Sequence, residues 1–204
     1  MKYLLSLLIF CNTIASTTHA QSFRDYDKIK SYISVGGGIN SNTGLVGVQF
    51  EQKLNDPFAV YAGAGLGTWG YKLSAGMRYY LTGAIGSAFG FGFAQATGLN
   101  GLTGKLEVIE SGQTIEKEIT YDLKPINLIH LSWLRYWPMG KRNRFNIEFG
   151  YSLPLSRAEN NYELPANLEP SKTSKSVLQF IQPGGITISI SFNFGLAERN
   201  MAKN

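Results

Sequence analysis

Gly185-Ile186-Thr187-Ile188-Ser189-Ile190-Ser191-Phe192-Asn193-Phe194 alternates strictly between apolar and polar side chains after its first glycine. Successive residues of an extended strand point to opposite faces, so Ile186, Ile188, Ile190, Phe192 and Phe194 share one side. Thr187, Ser189, Ser191 and Asn193 share the other. The same two-residue rhythm recurs along the chain in segments of about ten residues, which is a strand signal and not a helical one.

Eight such strands are predicted, over residues 29–40, 44–54, 58–67, 71–81, 88–97, 126–137, 145–155 and 185–194. In the second, Val46, Val48, Phe50 and Leu54 oppose Gly47, Gln49, Glu51 and Lys53. In the fourth, Leu73, Ala75 and Met77 oppose Lys72, Ser74, Gly76 and Arg78. In the seventh, Ile147, Phe149 and Tyr151 oppose Asn146, Glu148, Gly150 and Ser152. Short turns such as Asn55-Asp56-Pro57 and 138–144 all fall on one rim. Two long connections fall on the other. Residues 98–124 are expected to hold a small exposed hairpin, Lys105–Ile109 and Thr114–Tyr121 around Ser111-Gly112-Gln113. Residues 157–183, with Glu159, Glu163, Glu169, Lys172 and Lys175, read as a solvated mobile loop.

Residues 1–20 read as a secretory signal peptide: Lys2, an apolar run Tyr3–Phe10, and a cleavage site at Thr18-His19-Ala20 before Gln21. Residues 21–28 then form a polar periplasmic lead-in, and 195–204 a polar C-terminal tail. Cys11 is the only cysteine and His19 lies in the leader, so His130 is the only histidine of the processed chain. Disulfides and cysteine–histidine metal sites are thereby excluded. A net charge of +5, with basic residues scattered, offers no nucleic-acid footprint.

Periodicity does not say which face is outside. The polar face carries Gly36, Gly47, Gly63, Gly65, Gly76, Gly90, Gly92 and Gly150 but few charges. A narrow lumen needs such small side chains, whereas a water-facing exterior would be dense in Lys and Glu. The expected fold is therefore all-β: an eight-stranded antiparallel up-and-down transmembrane β-barrel, apolar outside and polar within. A soluble, secreted lipocalin-like barrel binding an apolar ligand has the reverse arrangement and is the alternative.

With this leader, strand count and terminal phenylalanine strand, the chain resembles the small eight-stranded outer-membrane barrels of the OmpA/OmpX type and the related Bacteroidetes-type family. The resemblance spans about residues 29–194. It implies a porin-like protein of the Gram-negative cell outer membrane, surrounded by outer-membrane lipid. The resemblance identifies a class and not an activity; the expected role is structural, adhesive or in envelope assembly, without catalysis or cofactor. The tail after Phe194 departs from barrels that end at that aromatic.

On the inferred inner face, Glu51, Lys53, Lys72, Arg78 and Glu148 form a candidate ion-pair network closing the lumen, which in eight-stranded barrels is just wide enough to be filled. Tyr136 and Trp137 are candidates for an interfacial aromatic girdle. His130 and Ser132 share one face of the sixth strand, with Glu148 next door, a set able to activate a hydroxyl nucleophile. This His-x-Ser pair resembles the lipid A deacylase signature, although Trp133 stands where that family has asparagine. If Trp137 pairs near Phe145, His130 falls opposite Ser152 and points inward, away from lipid. The connections 98–124 and 157–183 are the candidate surfaces for an extracellular or envelope protein partner.

Overall fold

The computed structural model describes residues 26–110, 112–156, 161–165 and 168–198. The leader and its cleavage site, residues 21–25 of the lead-in, Ser111, Glu159 and the last six residues of the tail lie outside the described residues.

The alternating segments form β1 (Ile29–Ile39), β2 (Val46–Lys53), β3 (Phe58–Gly67), β4 (Gly70–Tyr80) and β5 (Gly86–Ala96). A hairpin follows, β6 (Leu99–Glu110) and β7 (Gln113–Leu123), then β8 (Ile126–Met139) and β9 (Asn143–Pro154). After two short strands, β10 (Tyr162–Glu163) and β11 (Glu169–Pro170), come helix α1 (Lys172–Ile181) and β12 (Gly185–Glu198). Eight strands close an antiparallel barrel in the order β1-β12-β9-β8-β5-β4-β3-β2. The register keeps faces aligned: Ile188 lies opposite both Phe149 and Ile39, and Ser189 opposite both Glu148 and Gly38. A slip of one residue would invert a whole strand.

Burial is inverted relative to a water-soluble barrel. Phe91 is 57% exposed and Ile188 45%, whereas Glu51, Arg144 and His130 on the inner face are 0% exposed. The outer face is not apolar throughout. On β8, outward Asn127 and Arg135 bracket Ile129, Leu131 and Trp133, and Asn127 lies opposite outward Gln95 of β5. At about 3.3 Å per residue and a tilt of about 40°, that bracket is about 20 Å tall. At the short-turn end, Trp137 stacks on Phe145 with 5.0 Å between centroids, and Phe58 meets Tyr79 edge-on at 5.3 Å.

Three expectations need correction. The segment after Phe194 is not simply tail: β12 continues to Glu198, because the start of β1 needs a partner and Tyr32 pairs with Gly195. The hairpin is longer than expected, since cross-strand pairing from Leu99↔Leu123 onward recruits residues whose own composition is loop-like. The described parts of 157–183 do not form a free solvated loop. β10 pairs with the base of β7 and β11 with β6 near its tip, giving a four-stranded sheet in the order β10-β7-β6-β11. Helix α1 starts where Ser171 accepts a hydrogen bond from the Ser174 amide, a helix N-cap. Ser174 in turn accepts from the Glu107 amide at 2.9 Å, tying the helix to β6.

Candidate functional site

The inner faces of the barrel strands converge on an interior filled at successive levels. At the short-turn end, Glu51 Oε1 accepts hydrogen bonds from Tyr80 Oη and Arg144 Nη2, each at 2.6 Å. Its other oxygen pairs with Arg78, whose second nitrogen donates to Gln49 Oε1 at 3.2 Å. The Arg144 guanidinium also donates to the Ala84 carbonyl at 2.7 Å and lies over the rings of Tyr32 and Tyr136, 3.8 and 4.1 Å from their centroids. Two cations thus share one anion in a dry, aromatic setting, where charge-assisted bonds and cation–π contacts are strong. Tyr26 and Asp27 cover this end: Tyr26 packs on Ala84 and Ile85, and Asp27 accepts from the Ala84 amide at 2.7 Å.

Midway, the Arg78 guanidinium lies 4.8 Å from the Tyr61 ring centroid. A methyl at Gly92 would sit 2.1 Å from Tyr61 Oη, so glycine there is the room in which the phenol lies.

Towards the long-loop end, the β1–β2 connection folds inward. Ser41, Asn42 and Thr43 are all buried. They lie against a glycine strip, and a methyl at Gly65 would approach Thr43 O to 2.0 Å. Asn42 Nδ2 donates to Glu148 Oε1 at 3.3 Å, and Ser189 Oγ donates to Glu148 Oε2 at 3.1 Å. His130 links the two sides of this level, its Nε2 3.0 Å from Glu148 Oε1 and its Nδ1 2.7 Å from Ser152 Oγ.

These contacts place each residue singled out by sequence. Glu51 and Arg78 meet directly, while Glu148 and Lys72 belong to the opposite end. Lys53 is at the short-turn mouth beside Asp27 and Asp56, 3.6 and 3.4 Å away, and borders the Glu51 cluster with its ammonium 5.5 Å from the Tyr80 ring centroid. Tyr136 is corrected: it is 1% exposed, faces inward and packs on Tyr80 and Arg144, because its parity on β8 is that of His130 and Ser132. Its neighbour Trp137 faces outward at the rim. In the sequence reading Arg144 falls in the 138–144 turn. β9 begins at Asn143, and the polar-face parity of Asn146 and Glu148, carried back two residues, would have found it.

No protein-family model matches the chain, and comparison with curated proteins finds no match either.

The proposed nucleophile pair is rearranged. Ser132 Oγ lies beside Glu148 and makes no hydrogen bond to His130, which bonds Ser152 instead. The resulting Ser152–His130–Glu148 chain has the connectivity of a catalytic relay. Its hydroxyl, however, is walled in by the Asn40 carbonyl at 3.2 Å and Thr187 Oγ1 at 3.3 Å, and Ser152 is fully buried. A nucleophile needs a site about 3 Å away where a reacting carbon can sit. Here the hydroxyl is already engaged by three polar atoms, His130 Nδ1, the Asn40 carbonyl and Thr187 Oγ1, and the relay faces away from the outer wall. As it stands, the arrangement crosslinks β8, β9, β12 and the inward loop.

Proposed function

We propose that this chain is an integral outer-membrane β-barrel with a structural, adhesive or envelope-assembly role, its wall in lipid and its interior closed. One observation carries the reading: between the outward polar residues Asn127 and Arg135 lies a belt of apolar side chains that points outward, while Glu51, Arg78, Arg144, His130 and Glu148 point inward. A barrel in water would leave that belt exposed to water at large cost, since burying apolar surface is the main favourable term in folding. In hydrocarbon the same belt is at ease, and the closed barrel leaves no unpaired strand edge. A groove of about 600 Å³ on the outer wall, lined by Phe91, Leu131, Trp133 and Tyr151 among others, is a natural bed for acyl chains.

The two long connections support a role at the surface. They build one joint cap, a four-stranded sheet with α1 packed on it, so a protein partner would meet a preformed face and not two independent loops. The interior supports the non-conducting form, since ion pairs close one end and the inward loop the other.

Fractionation of expressing cells tests the location. Full-length protein is expected in the outer-membrane pellet after carbonate extraction, and release into the soluble fraction would overturn the proposal. In planar bilayers the purified protein is expected to give no stable conductance, and a large steady one would refute the closed interior. The lipid hydrolase reading predicts a lost acyl chain in lipid A that His130→Ala restores. Unchanged lipid A is the outcome expected here.

A further inference from the structure

At the long-loop end a second cavity, of about 490 Å³, lies between the end of α1 and the tips of β1–β2 and β3–β4. That volume is in the range of small-molecule sites. Its walls are mainly apolar, including Leu45, Trp69, Phe180 and Ile181, and among the described residues Lys72 is the only charged one lining it. Ile39 and Leu45 are also exposed on the outer wall, so the apolar belt runs without a break into the cavity. Phe180 stands at this site 90% exposed.

Lys72 is only 4% exposed, and its ammonium donates to the Asn40 carbonyl at 3.2 Å. It makes no ion pair among the described residues. Glu148 acts on it electrostatically, but that carboxylate is bonded by His130, Asn42 and Ser189. An ammonium has three protons to donate, and a desolvated cation without a direct counter-ion is costly. Hydrocarbon walls ending at such a cation match one ligand chemistry: an acyl chain with an anionic head.

We propose that this cavity binds an anionic amphiphile, its carboxylate or phosphate on Lys72 and its acyl chain along Leu45, Trp69 and Ile181 towards the outer wall. The head group could belong to a free fatty acid or to a phosphorylated membrane lipid. The inference rests on the residues that line the cavity, whatever phase surrounds the barrel wall.

Trp69 lines the cavity, and the chain has three tryptophans. A Trp133→Phe/Trp137→Phe background therefore makes Trp69 the sole reporter. In neutral maltoside micelles, full-length protein is titrated with 9,10-dibromostearate, its methyl ester, dibrominated phosphatidic acid and dibrominated phosphatidylcholine. Quenching of Trp69 by an anionic probe is expected to saturate at a concentration about tenfold or more below that of its neutral counterpart, the scale of one charge-assisted bond. Lys72→Gln is expected to abolish that preference and Lys72→Arg to keep it. Whichever anionic probe saturates first identifies the source. Gly67→Leu supplies an independent arm: Gly67 lines the cavity, and a β-carbon there meets nothing closer than 3.5 Å. That variant fills the space with Lys72 intact and is expected to lose saturable quenching. Circular dichroism verifies that each variant is folded, and Gly67→Leu decides if Lys72→Gln is not. Equal quenching by acid and ester, a preference that survives Lys72→Gln, or saturable quenching that survives Gly67→Leu would each overturn the proposal.

Discussion

Glu51→Gln tests the closed lumen most directly. In the native barrel the Glu51 carboxylate faces three donors, Tyr80 Oη, Arg144 Nη2 and Arg78 Nη1. Glutamine keeps the volume but removes the charge and presents an NH₂ to at least one of those donors. Two guanidinium groups are then left in a fully buried space with no anion between them. Breaking a buried ion pair from one side costs about 3–5 kcal/mol. The folding constant in phospholipid vesicles, followed by urea titration, is expected to fall by roughly two to four orders of magnitude. The double variant Glu51→Gln/Arg78→Met returns the cluster to its original net charge. It should therefore be less destabilised than the sum of the single variants, with a coupling of about 1–3 kcal/mol. Stability of Glu51→Gln within about 0.5 kcal/mol of the parent, the scale of an ordinary surface change, would refute the reasoning, as would simple additivity.

Other elements yield sharper local tests. Ile188→Lys, on the outer belt, is expected to cost about 2–4 kcal/mol in vesicles if that face meets lipid, and no measurable loss would contradict the assignment. Gly65→Ala forces a methyl onto Thr43 O and is expected to cost about 1–3 kcal/mol by overpacking. It should also raise the thiol-labelling rate of a Thr43→Cys reporter, and an unchanged rate would mean that the loop is not held there. Ser171→Ala removes the α1 cap at a cost of about 1 kcal/mol. Hydrogen exchange should quicken over residues 172–181 while the barrel strands stay protected, and uniform protection would show that the cap contributes nothing.

Much of the barrel was legible because alternation is a local property. Parity along β12, β9 and β4 assigns each side chain to a face without knowing any partner, and the positions of the turns give the strand count and the two rims. The pairing of His130 with Ser152 was also within reach, since β8 and β9 join through a short turn and one assumed pair, Trp137 with Phe145, sets the register of the rest.

What the alternation did not contain is which groups meet across the lumen and what the long connections do. Glu51 and Arg144 are 93 positions apart, and Asn42 and Glu148 are 106 apart. Such contacts exist only once closure brings distant strands round one axis. Tyr136 looked like a girdle residue from its composition, yet its parity with His130 put it under a guanidinium instead. The segment around 157–183 looked solvated because its polar residues have no periodicity of their own. Its described parts gain structure by pairing with the free edges of β6 and β7 and by docking Ser174 and Leu178 of α1. Faces were decided by the period of the strand, a short-range property of the chain. Partners were decided by register and closure, which belong to the assembled barrel alone.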